Sequence, residues 1–190
     1  EGNHGGEGFP ATANILLDST DASVAEVAIV GCTIQHTHNA KESANIRIIG
    51  VPEPRKSVQN RRVGNVTIAH NVLSDVQFNL DLQDVRGITI TGNTMWKGYQ
   101  ANVRAEDCRE VVLTGNLYDR NPQYRYGDGA SANLGVMLEG CRNLTMNGEV
   151  FQGIVKRGAV VTINDCDSVS INACQFTGFD RAALRLEGVQ

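Results

Sequence analysis

Apolar residues recur along this chain in two short alternating phrases that return in order from one end to the other. The first reads most plainly at Ile88-Thr-Ile-Thr-Gly-Asn, an alternation that runs into Gly-Asn, the pattern of a short strand entering a turn. It returns as Val27-Ala-Ile-Val-Gly-Cys, Val66-Thr-Ile-Ala-His-Asn, Val111-Val-Leu-Thr-Gly-Asn, Leu144-Thr-Met-Asn-Gly-Glu and Val169-Ser-Ile-Asn-Ala-Cys. Seven places after the first residue of each copy stands Ile34, Leu73, Met95, Tyr118, Phe151 or Phe176. The second phrase is Asn14-Ile-Leu-Leu, Asn45-Ile-Arg-Ile, Asn79-Leu-Asp-Leu, Asn102-Val-Arg-Ala, Gly135-Val-Met-Leu, Val160-Val-Thr-Ile and Ala183-Leu-Arg-Leu. Behind it runs another apolar column, Val51, Val85, Cys108, Cys141, Cys166 and Val189. Length varies only at fixed corners, in the loops 35–44, 52–65 and 119–133. Insertion at fixed corners of a regular repeat marks a solenoid.

Two solenoids compete for this pattern. Ile88-x-Ile-x-x-Asn-x-Met fits the leucine-rich repeat phrase, and the period in the low twenties is shared. Those repeats, however, are Leu-dominated and place a helix or 3₁₀ turn opposite one strand. Here the opposite side is a second β-branched alternation, and no segment carries the i, i+3, i+4, i+7 spacing of a helix. The expected fold is therefore all-β: a right-handed parallel β-helix with three short strands per coil and about six to seven coils, forming one domain over residues 1–190.

With those phrases aligned, the whole chain resembles the pectate-lyase-like superfamily of right-handed β-helices, which includes polygalacturonases and nitrous-oxide-accessory repeat proteins. The resemblance implies that the phrase ending in Asn is the second sheet, with Asn71, Asn93 and Asn116 forming a ladder in the turn that follows. Cys32, Glu149 and Cys174 replace the Asn in the other copies. It also implies that the second phrase is the first sheet, whose outer face carries the substrate groove in the family's enzymes. Physically, coils about 4.8 Å apart let stacked amides hydrogen-bond from one to the next. The aromatic column Tyr118, Phe151 and Phe176 is expected to stack inside the core.

Composition narrows the function without naming it. A net charge of −4 and the lack of a basic run exclude nucleic acid as an expected partner, and no apolar stretch is long enough for a membrane span. Twenty Gly against four Pro suits many strands and tight turns. The five cysteines are odd in number, and three of them stand in register, so buried reduced thiols are expected rather than a disulfide framework. Neither CxxC nor HxxxH occurs, and His36-x-His38 alone is a weak signal, so no metal and no cofactor are expected. The chain starts at Glu1, which is compatible with a removed leader, and the expected location is extracellular or periplasmic. Neither end shows an amphipathic capping helix, so the chain is expected to be part of a longer one or to associate end to end.

Chemistry is sought on the outward positions of the second phrase. Period two turns Ile46 and Ile48 inward and Arg47 outward. One outward column is then Leu16, Arg47, Asp81, Arg104, Met137, Thr162, Arg185, and the next is Asp18, Ile49, Gln83, Glu106, Glu139, Asn164, Glu187. Arg47, Asp81 and Arg104 alternate in sign, which suits stacked neighbours, whereas Glu106 and Glu139 place like charges on adjacent coils. A close carboxylate pair is what an acid and a nucleophile or base need, and retaining glycosidases hold theirs about 5–5.5 Å apart.

The candidate catalytic residues are therefore Asp81, Arg104, Glu106 and Glu139, with Asp81 holding Arg104. The candidate substrate-binding residues are Arg47, Gln83, Tyr124, Arg125 and Tyr126, the last three in a long loop able to wall the groove. Of the family's own enzyme motifs, the Asn-Thr-Asp, Asp-Asp and Gly-His-Gly set is missing. The expected function is an extracellular protein that binds, and in its enzymatic form cleaves, a polysaccharide or oligosaccharide along the first-sheet groove by hydrolysis or elimination. The alternative is a non-catalytic binding or assembly module.

Overall fold

The structure, a computed structural model, describes residues 12–35, 39–52, 63–119, 135–153 and 158–190. These residues form a right-handed parallel β-helix. The first sheet stacks Ala13–Asp18, Ala44–Ile49, Val76–Gln83, Gly98–Glu106, Val136–Glu139, Ala159–Asn164 and Ala182–Glu187 in that order. The second sheet runs from Ala28–Val30 to Asp167–Asn172, and the third from Thr33–Gln35 to Gln175–Thr177, with six strands each. Every pairing is parallel and joins strands one coil apart. An addition not legible in the repeat is a two-strand pair, Val24–Ala25 with Val63–Gly64.

Alternation explains the core. Ile46, Leu80, Val103, Val136 and Val161 stack inward in register from the first sheet, and Ile68, Ile90, Leu113 and Met146 from the second, all essentially buried. Tyr118, Phe151 and Phe176 stack face to face with centroids 4.3 and 4.9 Å apart.

The turn after the second sheet explains the Gly-Asn signature. Gly31, His70, Gly92, Gly115, Gly148 and Ala173 all adopt left-handed backbone there, a conformation in which glycine escapes the Cβ penalty. At Gly92 the space is closed as well, since a Cβ would lie 2.7 Å from Nδ1 of His70 on the preceding coil.

The asparagine that follows builds a directional ladder. Asn71 Nδ2 donates to Asn93 Oδ1 at 3.0 Å, and Asn93 Nδ2 donates to Asn116 Oδ1 at 2.9 Å. Asn116 Nδ2 reaches both Glu149 carboxylate oxygens, at 3.1 and 3.2 Å. Each acceptor also takes the backbone N–H of the preceding rung. The last rung only needs to accept, and an ionised carboxylate can only accept. Glu149 is therefore the ladder's terminator rather than a mere substitution in it, and Tyr118 Oη donates to it at 2.7 Å.

A second ladder, which the sequence reading did not identify, runs at the entry to the first sheet. Asn14 donates to Asn45, Asn45 to Asn79 and Asn79 to Asn102, at 2.7, 2.7 and 2.6 Å.

Burial raises the Glu149 pKa above the ordinary carboxylate value, against the lowering effect of its donors. A carboxyl whose folded pKa is raised adds stability that is full below its unfolded value near 4.3 and is lost as pH rises through the folded pKa. Glu149→Gln keeps an acceptor and removes the titration. Relative to this variant, the parent should gain stability as pH is lowered from about 8 to about 4.5, which paired denaturation curves would measure. A pH-independent difference would contradict this account.

All five cysteines are free, but the expectation that all are buried needs correcting. Cys108, Cys141 and Cys166 are buried, whereas Cys32 is exposed and Cys174 half-buried. The latter two lie in the first and last described coils, where a neighbouring coil covers one side only. In the buried column each thiol donates to the carbonyl two residues back, at 3.2–3.4 Å. Thiol titration of the unfolded, unreduced protein should recover all five, and a smaller number would refute the reduced column.

Candidate functional site

The first sheet presents both outward columns in the expected register. Leu16, Arg47, Asp81, Arg104, Met137, Thr162 and Arg185 are successive partners, as are Asp18, Ile49, Gln83, Glu106, Glu139, Asn164 and Glu187. Rigid parallel strands set these positions, so each side chain has a defined neighbour on the next coil.

At the centre lies a clamp. Asp81 Oδ1 accepts from Arg104 Nε at 2.8 Å, and Oδ2 accepts from Arg47 Nε at 2.7 Å and Arg104 Nη2 at 3.0 Å. Asp81 is only 8% exposed although it points away from the core. With both oxygens occupied by guanidinium donors, it holds the arginines and does not act as a free base.

Two residues that the sequence reading passed over complete the clamp. Glu42 places a carboxylate oxygen 3.2 Å from Arg104 Nη2, and its backbone carbonyl accepts from Arg47 Nη2. Phe78 lies under the Arg104 guanidinium at 3.8 Å from its ring centroid, a cation–π contact. Phe78 was hidden because alternation fails within the strand Val76–Gln83. Asn79 and Leu80 are consecutive and both buried, and Phe78 forms a small apolar cluster with Ala44 and Ala101, apart from the main core. Glu42 belongs to a loop with no period to reveal it. Burial lowers the Arg104 pKa, but its bonds to Asp81 and the nearby carboxylates outweigh that, and the net shift is upward.

Beside the clamp, Glu106 and Glu139 are direct register partners. Glu106 Oε1 lies 3.9 Å from Arg104 Nε. Glu139 is exposed. Gln83 is exposed next to Glu106 in the same column. Tyr124, Arg125 and Tyr126, like His36 and His38, lie outside the described residues. A separate polar cleft at the corner after the first sheet is lined by Val51, Pro52, Asp84, Asp107, Arg109 and Arg142. Arg86, in the strand Arg86–Thr91 and not in the cleft lining, pairs with Glu110 at 3.0 Å. Among the described residues, no group of three or more His, Cys, Asp or Glu side chains is arranged to hold a metal ion.

Three parallel sheets, the turn ladder and a polar outward first sheet define a β-helix of pectate-lyase-like architecture. The chain belongs to the NosD family, whose model, described as "Periplasmic copper-binding protein (NosD)", matches residues 14–188. The extracellular or periplasmic location expected from the sequence agrees with that description. Among solved structures the chain is similar to a "putative glycosyl hydrolase" from Parabacteroides merdae. The identity is 14% and the TM-score 0.52, with 88% of this chain and 80% of that chain covered. At that identity the likeness shows the fold alone. No curated protein matched the chain in a sequence comparison.

Proposed function

We propose that this chain binds a polysaccharide along the outer face of its first sheet, with Glu106 and Glu139 as the reactive carboxylate pair. The observation that carries the reading is the direct pairing of these two glutamates in adjacent strands beside a locked Arg47–Asp81–Arg104 clamp. Adjacent strands are about 4.8 Å apart, close to the carboxyl separation of about 5–5.5 Å in retaining glycosidases. Glu106, the partner nearer Arg104, takes the nucleophile role, and Glu139 the role of acid and then base. Asp81 and Arg47 are positioning residues.

Hydrolysis is favoured over elimination by Arg104 itself. Its bonds to Asp81 stabilise the guanidinium form, which cannot take a proton. Glu139→Gln preserves shape and removes the carboxylate. Reducing-sugar release over a polysaccharide panel should fall by about 10²-fold or more in the variant while folding survives. If Glu139→Gln and Glu106→Gln both retain full release, the pair is a surface ladder. Binding without release by the parent supports the non-catalytic module.

Copper enters through the family's description, and the buried thiols and the core thioethers do not fit it. Copper(I) selects thiolate and thioether ligands, which must be free of protons and of competing bonds. The column thiols are donors to carbonyls, the Cys108 contact and burial push the Cys141 thiol up, and burial pushes Cys166 up to about 11. Met95 and Met146 belong to the packed core. No step proposed here runs through a metal.

A further inference from the structure

Resting on that reading of the first-sheet face, we infer that its ligand is an uncharged or amine-bearing glycan rich in free hydroxyls, and that polyanionic glycans such as polyuronates are rejected. Two arginines on a sugar-binding face would ordinarily suggest a carboxylated or sulfated ligand, because a guanidinium pairs well with such groups. The geometry here removes that option. Arg47 and Arg104 share the same buried Asp81, Arg104 is also flanked by the Glu42 and Glu106 carboxylates, and its face is covered by Phe78. Two cations are thus set among three carboxylates before any ligand arrives. An anionic ligand would have to compete for these guanidinium donors with Asp81, which sits below the surface with both oxygens bonded, and with the neighbouring carboxylates.

What the face leaves available is a rail along the helix axis. Gln83, Glu106, Glu139 and Asn164 follow one another at one strand spacing, an amide, two carboxylates and an amide. Carboxylate oxygens and the amide oxygen of the exposed Gln83 accept from sugar hydroxyls, and a carboxylate can accept from two neighbouring hydroxyls at once, whereas the Asn164 Oδ1 is buried. Beside the rail, Met137 is 42% exposed, followed by Thr162 in the same column. An exposed thioether offers apolar, adaptable contact to the C–H face of a sugar ring. Acceptors on one side and an apolar strip on the other match a neutral glycan lying across the strands. The same two carboxylates repel an acidic chain and attract an amino sugar.

The test is affinity electrophoresis of the intact chain through gels containing a neutral β-glucan or galactan, polygalacturonate, or soluble chitosan oligomers, at low and high salt. Retardation is expected with one or more of the neutral glycans at both salt levels. Chitosan should retard most at low salt, and polygalacturonate at neither. The Glu106→Gln/Glu139→Gln variant loses the charge of the rail, so it should lose the chitosan salt dependence and gain severalfold retardation in polygalacturonate. Thermal melts of both proteins check that the variant is folded. Stronger retention of the parent by polygalacturonate than by every neutral glycan would overturn the inference while leaving a sugar-binding face intact. Retention by no glycan of any class would sink the polysaccharide reading itself, and the inference with it.

Discussion

Asn93→Ala should cost about 3–5 kcal/mol of stability, as much as deleting a large core side chain, although it removes only one polar group. Asn93 Oδ1 accepts both the backbone N–H and the side-chain amide of Asn71, each at 3.0 Å. Its Nδ2 donates to the Ile68 carbonyl at 3.0 Å and to Asn116 at 2.9 Å. Alanine leaves the Asn71 N–H and the Ile68 carbonyl without this partner where water has no access, and a stranded buried group costs about 1–3 kcal/mol. Asn93→Asp should be no better, because a carboxylate cannot donate to the Asn116 oxygen that faces it. The comparison is with Asn147→Ala, an exposed strand-end residue expected to change stability by no more than about 0.5 kcal/mol. Urea denaturation of the three variants gives the answer. A loss below about 1 kcal/mol for Asn93→Ala would mean that the coils are held by packing alone.

That ladder was legible in the sequence because Gly-Asn recurs at one place in a regular phrase. The outward columns were legible for the same kind of reason. Period two and a constant spacing are enough to put Arg47 beside Asp81 and Glu106 beside Glu139, and the register agrees. What escaped lay where the period breaks. Within the first-sheet strand Val76–Gln83, Asn79 and Leu80 both turn into the molecule, so parity counted back from Leu80 misplaces Phe78. The second ladder stood in view as the Asn opening four successive phrases, yet an Asn beside a strand reads first as a turn residue. Glu42 was not inferable, since only the fold of its loop brings it to Arg104. The copies with Glu149 and Cys174 show a further limit. A repeat exposes which position changes, but only the direction of the hydrogen bonds explains why an acceptor ends the row.

Asp81→Ala is the second change expected to have a large effect, and its cost separates a structural clamp from a loose surface ion pair. Exposed pairs contribute at most about 1 kcal/mol, because water competes for both partners. Asp81 is in a different position, with guanidinium donors on both oxygens and little access to solvent. Removing it leaves Arg47 and Arg104 facing each other across one vacated coil, each largely enclosed, and breaking such a pair costs about 3–5 kcal/mol. The cost is that of stranding two cations, so it should disappear when the cations go as well. The triple variant Arg47→Met/Asp81→Leu/Arg104→Met should recover most of the loss, since the same column already carries Leu16 and Met137 as its next members. Denaturation of the parent, the single variant and the triple variant under one set of conditions measures both numbers. If Asp81→Ala costs under about 1 kcal/mol, the arginines are solvated and free to meet an anion, and the argument for a ligand without negative charge loses its footing. If the single variant is costly and the triple variant is restored, the arginines are committed to the fold, leaving Gln83, Glu106, Glu139 and Asn164 as the groups that a ligand meets.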